Sequence, residues 1–108
     1  MRSELGKIRS IRYGFGGYQD VQFGLSVDLG GESWGVSDFW GGWGEPPSKY
    51  AEWTIEDQIK WHGETANRIA DLCRKAKVRG VEELEGVPVQ AFFEGMKLSS
   101  WRVLEEVL

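Results

Sequence analysis

Tyr18-Gln19-Asp20-Val21-Gln22-Phe23-Gly24-Leu25-Ser26-Val27-Asp28-Leu29 is the stretch that decides the fold. In an extended chain Val21, Phe23, Leu25, Val27 and Leu29 share one face. Asp20, Gln22, Gly24, Ser26 and Asp28 share the other. That alternation predicts a strand with one buried side. Gly30-Gly31 follows and suits a tight hairpin. Ser33–Trp40 is the predicted returning strand, with Trp34 and Val36 on one face. Upstream, Lys7–Tyr13 reads as a strand of imperfect alternation, and Gly14, Gly16 and Gly17 as a loop.

Downstream, residues 41–49 carry Gly41, Gly42, Gly44, Pro46 and Pro47, which predict a loop because proline cannot continue a ladder. Thr54 is a good N-cap, with Glu56 and Asp57 in the first turn, where the helix dipole favours acid. Ile55, Ile59, His62, Ala66, Ile69, Cys73 and Ala76 recur at steps of three and four, the spacing of one helical face. Gly80 is the predicted stop. Val81–Leu84 reads as a short helical turn. Val87–Phe93 and Lys97–Leu104 read as two strands joined at Glu94-Gly95.

The order is β-β-β-α-β-β. It predicts an α+β fold: one domain over residues 1–108, an antiparallel sheet of about five strands, and one amphipathic helix packed on one face. Val21, Phe23, Leu25 and Val27 are expected to meet Ile59, Ala66, Ile69 and Cys73 in the core.

The formal net charge of −4 disfavours a non-specific grip on nucleic acid, which depends on neutralising phosphates. It suits a basic protein partner. Cys73 is the only cysteine, so no intrachain disulfide forms and a reducing compartment is expected. No signal-peptide pattern opens the sequence, and no stretch has the length and apolarity of a membrane span. The expected location is cytoplasmic.

The chemistry-bearing residues do not assemble into a known motif. Gly14-Phe15-Gly16-Gly17 lacks the spacing of a dinucleotide fingerprint, and a strand rather than a helix follows it. His62 is the only histidine and falls on the apolar helix face, as a core or boundary residue does. Cys73 lies turns away from it, too far for a Cys–His dyad. Asp20, Asp28 and Asp38 lie on adjacent predicted strands and read as a solvated sheet face. No catalytic residue, metal site or cofactor is expected.

The outstanding constellation is aromatic. Trp34, Phe39, Trp40, Trp43, Tyr50, Trp53 and Trp61 crowd the middle of a chain that holds six tryptophans and 15 glycines. Phe39 and Trp40 are consecutive, so in a strand they face opposite sides. Exposed Trp and Tyr anchor interfaces because they bury much area with few rotamers to freeze. The candidate binding set is Trp34, Asp38, Phe39, Trp40, Trp43 and Glu45, with Tyr18 and Asp20. Trp40 and Trp43 form its expected exposed patch, beside the acidic Asp38 and Glu45.

Three stretches also carry a likeness: Tyr13-Gly14-Phe15-Gly16-Gly17-Tyr18-Gln19-Asp20, Trp34-Gly35-Val36-Ser37-Asp38-Phe39-Trp40-Gly41, and Ser100-Trp101-Arg102-Val103-Leu104-Glu105-Glu106-Val107-Leu108. They resemble a family of small uncharacterised proteins encoded by tailed bacteriophages and prophages. The resemblance implies a bacterial cytoplasm as the setting. It implies little about activity, but phage proteins of this size and charge often bind and redirect host proteins, so with the aromatic surface the expected function is a non-enzymatic protein that binds a host or phage macromolecule, such as a host-takeover or anti-defence inhibitor. The alternative is a single-stranded nucleic-acid binder that stacks bases on Trp and Tyr. Lys7, Arg9, Arg12 and Arg102 would supply its charge if the first and last strands are neighbours.

Overall fold

The computed structural model describes residues 1–108. Its elements are β1 (Arg2–Gly16), β2 (Gln22–Gly30), β3 (Gly35–Trp43), α1 (Ile55–Ala76), β4 (Pro88–Glu94) and β5 (Lys97–Val103). Short 3-10 turns lie at Tyr18–Asp20, Val81–Glu83 and Glu105–Val107. The strands form one antiparallel sheet in the order β3-β2-β1-β4-β5, with the single helix against it. This is the expected α+β architecture. No helix is long and apolar enough to cross a membrane.

β1 is longer than the sequence suggests, because its two halves pair with different strands. Arg2–Lys7 pairs with β4, and Lys7–Gly16 pairs with β2. A bulge between Ile8 and Ser10 separates the halves and bends the strand. Gly14 and Gly16 are therefore ladder residues opposite Gly24 and Gln22, not a loop. The turn comes later, where Gly17, Gln19 and Asp20 take positive φ of 70°, 55° and 57°. Tyr18 to Val21 thus fall outside the strand they were expected to open.

At the other hairpin, Gly31 N–H donates to the Trp34 carbonyl at 3.0 Å. Trp34 therefore sits in the turn, not in β3. β3 itself runs on through Gly41 and Gly42 to Trp43, past the predicted end. Glycine is needed at Gly24 because a Cβ there would overlap the Trp40 carbonyl of the paired strand. The β4–β5 turn is Gly95-Met96, one residue later than expected.

α1 starts at Thr54, as its capping chemistry predicts. Asp57 N–H donates to Thr54 Oγ1 at 3.2 Å, and Thr54 N–H donates to Asp57 Oδ2 at 2.9 Å. Each side chain thus takes an N–H that the first turn leaves unpaired. The helix ends at Lys77, in left-handed conformation, before the predicted stop at Gly80.

The sheet is strongly curled. Strand twist accumulates across it, and the bulges at Ile8/Ser10 and Phe92/Phe93 add to it. As a result, Trp40 of β3 and Trp101 of β5 stack at 5.3 Å, although their strands are the two edges. Ile8, Leu25, Val27, Leu29, Leu84 and Val89 are fully buried beneath them. Phe23, expected in the core, is only half-buried at the open end.

Candidate interaction surface

The helix faces the sheet with a different side from the one its apolar spacing marks. Its buried residues are Gln58, Thr65, Leu72 and Ala76. Ile59 is 66% exposed, Ile55 is 44% exposed, and Ala66 is exposed too. Only Ile69, Cys73 and Ala76 of the expected face pack against the core.

Hydrogen bonds account for this roll. Gln58 Nε2 donates to the carbonyls of Trp43 at 2.7 Å and Glu45 at 2.9 Å. His62 Nε2 lies 3.1 Å from the same Trp43 carbonyl. Thr65 Oγ1 donates back to the Trp61 carbonyl of its own helix at 2.9 Å, which satisfies the buried hydroxyl without setting the roll. The Trp43 and Glu45 carbonyls come over the helix without a strand partner, and a polar side chain supplies their donor where an isoleucine cannot. No buried side-chain N or O lacks a partner.

The displaced stripe continues onto the sheet. His62 meets the Phe23 ring at 6.2 Å, and Phe23 meets Tyr13 at 5.3 Å and Phe15 at 5.1 Å. Tyr13 is 50% exposed and Phe15 41%. Gly63 and Ala70 extend the exposed, uncharged flank along the helix. Tyr13 and Phe15 on β1, and Ile55, Ile59 and Ala66 on α1, are thus exposed apolar residues linked through the Phe23–His62 contact. Sequence reading missed this set because isoleucines at helical spacing signal a core. The one available signal was that Gln58 and Thr65 lie seven residues apart, in phase with Leu72.

The sequence-predicted residues are scattered. Trp40 is 8% exposed, so it belongs to the core and not to a contact patch. It lies under the Arg68 guanidinium at 3.8 Å. Asp38 accepts the indole N–H of Trp40 at 2.9 Å and that of Trp101 at 2.8 Å, and its own Phe39 N–H at 2.9 Å. It is a structural bridge. Trp34 donates to the Leu5 carbonyl at 3.2 Å and meets Phe93 edge-on at 5.7 Å. Trp43 is partly exposed and stacks on Trp53 at 6.3 Å, which in turn meets Trp61 at 5.3 Å. Glu45, Tyr18 and Asp20 are exposed. Phe39 lies on the opposite sheet face, over Gly16, Gly17 and Gly41.

The acidic and thiol side chains singled out in the sequence stand apart from one another. Asp28 projects from the outer sheet face and takes the hydroxyls of Ser10 at 2.6 Å and Ser37 at 2.5 Å. Those bonds hold its carboxyl below the ordinary value. Asp38 points to the other face, so the two carboxylates do not converge. Burial, then the charges of Glu82 and Glu83, push the Cys73 thiol up, away from thiolate reactivity. No group of three His, Cys, Asp or Glu side chains is placed to hold a metal.

The cations are also unevenly placed. Lys7, Arg9 and Arg12 lie along β1, and none of the three forms an ion pair. β4 separates them from Arg102, so the first and last strands are not neighbours. Arg102 is held by Glu106 at 2.9 Å.

Fold and surface together define a small α+β domain with exposed apolar residues along one flank of its helix. Comparison with protein-family models, with curated proteins and with solved structures finds no match.

Proposed function

We propose that this chain is a non-enzymatic interaction module that docks a protein partner on the surface of Tyr13, Phe15, Ile55, Ile59 and Ala66. One observation carries the reading: α1 buries Gln58 and Thr65 while leaving Ile55 and Ile59 in water. Full burial of an isoleucine is worth about 1.5–3 kcal/mol, so this surface holds unused binding energy. The bacteriophage likeness supplies the setting, a bacterial cytoplasm with a host factor as partner, and takeover or inhibition of a host system as the role.

Affinity capture followed by direct titration tests this. The partner is recovered with the wild-type chain, identified, and titrated against both wild type and Ile59→Lys. The variant is expected to keep its thermal midpoint and lose at least about ten-fold in affinity, as a hot-spot contact does. Unchanged affinity would move the contact elsewhere.

A second reading, single-stranded nucleic-acid binding, draws on the unpaired Lys7, Arg9 and Arg12, with Phe39 on the outer face. Recovery of nuclease-sensitive material in the same capture would favour it.

A further inference from the structure

We infer that the partner contributes an extended segment that adds to the open edge of β1 as a new strand, with apolar side chains toward α1 and an acidic side chain opposite Arg12. This rests on the interaction reading above and names the chemistry of the partner.

The edge is open because β4 leaves β1 early. The last contacts are Ile8 N–H to the Val87 carbonyl at 2.9 Å and Gly86 N–H to the Ile8 carbonyl at 2.7 Å. From Ser10 to Gly16, β1 has β2 on one side and no strand on the other. In an antiparallel strand, successive residues point their N–H and C=O to opposite edges. Ile8 points to β4, so its partner Leu29 does not exchange hydrogen bonds with β1, and the next β2 residue, Asp28, does. Ser10, Arg12, Gly14 and Gly16 therefore face β2. Ile11, Tyr13 and Phe15 present their backbone groups to the empty side.

The chain itself marks the vacancy. The Arg12 guanidinium folds back and donates to the Phe15 carbonyl, where a strand partner's N–H would sit. An incoming strand would take that carbonyl and release Arg12, which has no carboxylate partner of its own. Opposite charges on neighbouring strands attract, so an acidic residue there fits. At the other end Glu85 lines one cleft with Lys7 and Arg9, whereas no carboxylate lies in an ion pair with Arg12 beside the open edge.

The inner side is apolar. Tyr13 and Phe15 stand half-exposed on the edge strand, their neighbour Phe23 meets His62 of α1, and Ile59 and Ala66 are exposed on that helix. A strand added here would insert its inward side chains between them, completing the two-layer packing that the helix roll leaves unfinished. The Val81–Glu83 turn packs against β1, and Gly86 and Val87 bond to Ile8 at the far end. Ile11 to Phe15 spans about 13 Å at about 3.3 Å per residue, so the seat takes a segment of about five residues.

The test uses the full chain and a fluorescein-labelled, end-blocked peptide of alternating valine and glutamate, Val-Glu-Val-Glu-Val-Glu. Three comparison peptides accompany it: the lysine analogue, and two versions with every second backbone amide N-methylated, one in each phase. Saturable binding is expected by anisotropy, at least about ten-fold weaker for the lysine peptide and for one methylated phase. Arg12→Glu should reverse the preference between glutamate and lysine peptides. On a 15N-labelled chain the Tyr13 and Phe15 amides should shift and exchange more slowly. No saturable binding, or binding indifferent to N-methylation in both phases, overturns strand addition. If that happens while Ile59→Lys still weakens the captured partner, the apolar surface stands and only the strand is wrong. If Ile59→Lys is also without effect, both fall.

Discussion

Asp38 accepts the indole N–H of Trp101 at 2.8 Å, although the two residues stand on strands at opposite edges of the sheet. The same oxygen takes the Trp40 indole at 2.9 Å. One carboxylate thus ties the two stacked indoles together and fixes the curl of the sheet. Asp38→Ala leaves both N–H groups without their acceptor and is expected to cost about 3 kcal/mol. Asp38→Asn, which keeps one oxygen but opposes an amide donor to Phe39 N–H, should cost about half as much. Urea unfolding followed by tryptophan fluorescence measures both. A loss below about 1 kcal/mol for the alanine variant would mean the curl is held by packing alone.

The helix roll makes two neighbouring residues behave contrary to their hydropathy. Gln58→Ala removes the donor for the Trp43 and Glu45 carbonyls and is expected to destabilise by about 1–3 kcal/mol. It should also expose residues 44–53 to limited proteolysis. Ile59→Lys, on an exposed position, should stay within about 0.5 kcal/mol of wild type. The opposite ranking would place the isoleucine stripe in the core and remove the basis for the interaction surface.

Two glycines should respond in opposite directions to the same substitution. A Cβ at Gly63 meets nothing within 4 Å, and the residue lies inside α1. Gly63→Ala is expected to stabilise by about 0.5–1 kcal/mol. Gly24→Ala forces a methyl group into the Trp40 carbonyl and should cost at least about 1–3 kcal/mol as β2 and β3 separate. Thermal melts of the two variants side by side decide the matter. Equal shifts would show that the close β2–β3 approach is not maintained in solution.

Asp28 links stability to acid. Its folded carboxyl lies below the ordinary value because the Ser10 and Ser37 hydroxyls donate to it. A lowered folded value contributes stability that is present above the unfolded value and is lost as pH falls through the folded one. Replacing both serines by alanine should therefore lower stability at neutral pH, by less than about 1 kcal/mol for so exposed a group. The gap to wild type should close in acid. A gap that persists after Asp28 is protonated would assign the serines a packing role instead.

Much of this was legible in the residues. The Phe23–Leu29 alternation predicts β2 and its buried side. Thr54, with Glu56 and Asp57 in the first turn, predicts where α1 begins, and Gly30-Gly31 predicts the β2–β3 turn, whereas Gly14, Gly16, Gly41 and Gly42 lie in strands. Period, cap and turn chemistry are local signals: they act over a few residues and need no distant partner. The two features that shape the candidate site are not local. Gln58 faces inward because the carbonyls of Trp43 and Glu45 come to lie above it, and the pattern of apolar residues along α1 cannot register those acceptors. Asp38 is a bridge rather than a contact residue because Trp101, 63 positions away, folds back onto it. The sequence by itself determined which segments become strands and helix. Only the tertiary structure decided which side of the helix faces the sheet, since that depends on hydrogen-bond partners assembled by folding, and so which apolar residues remain in water.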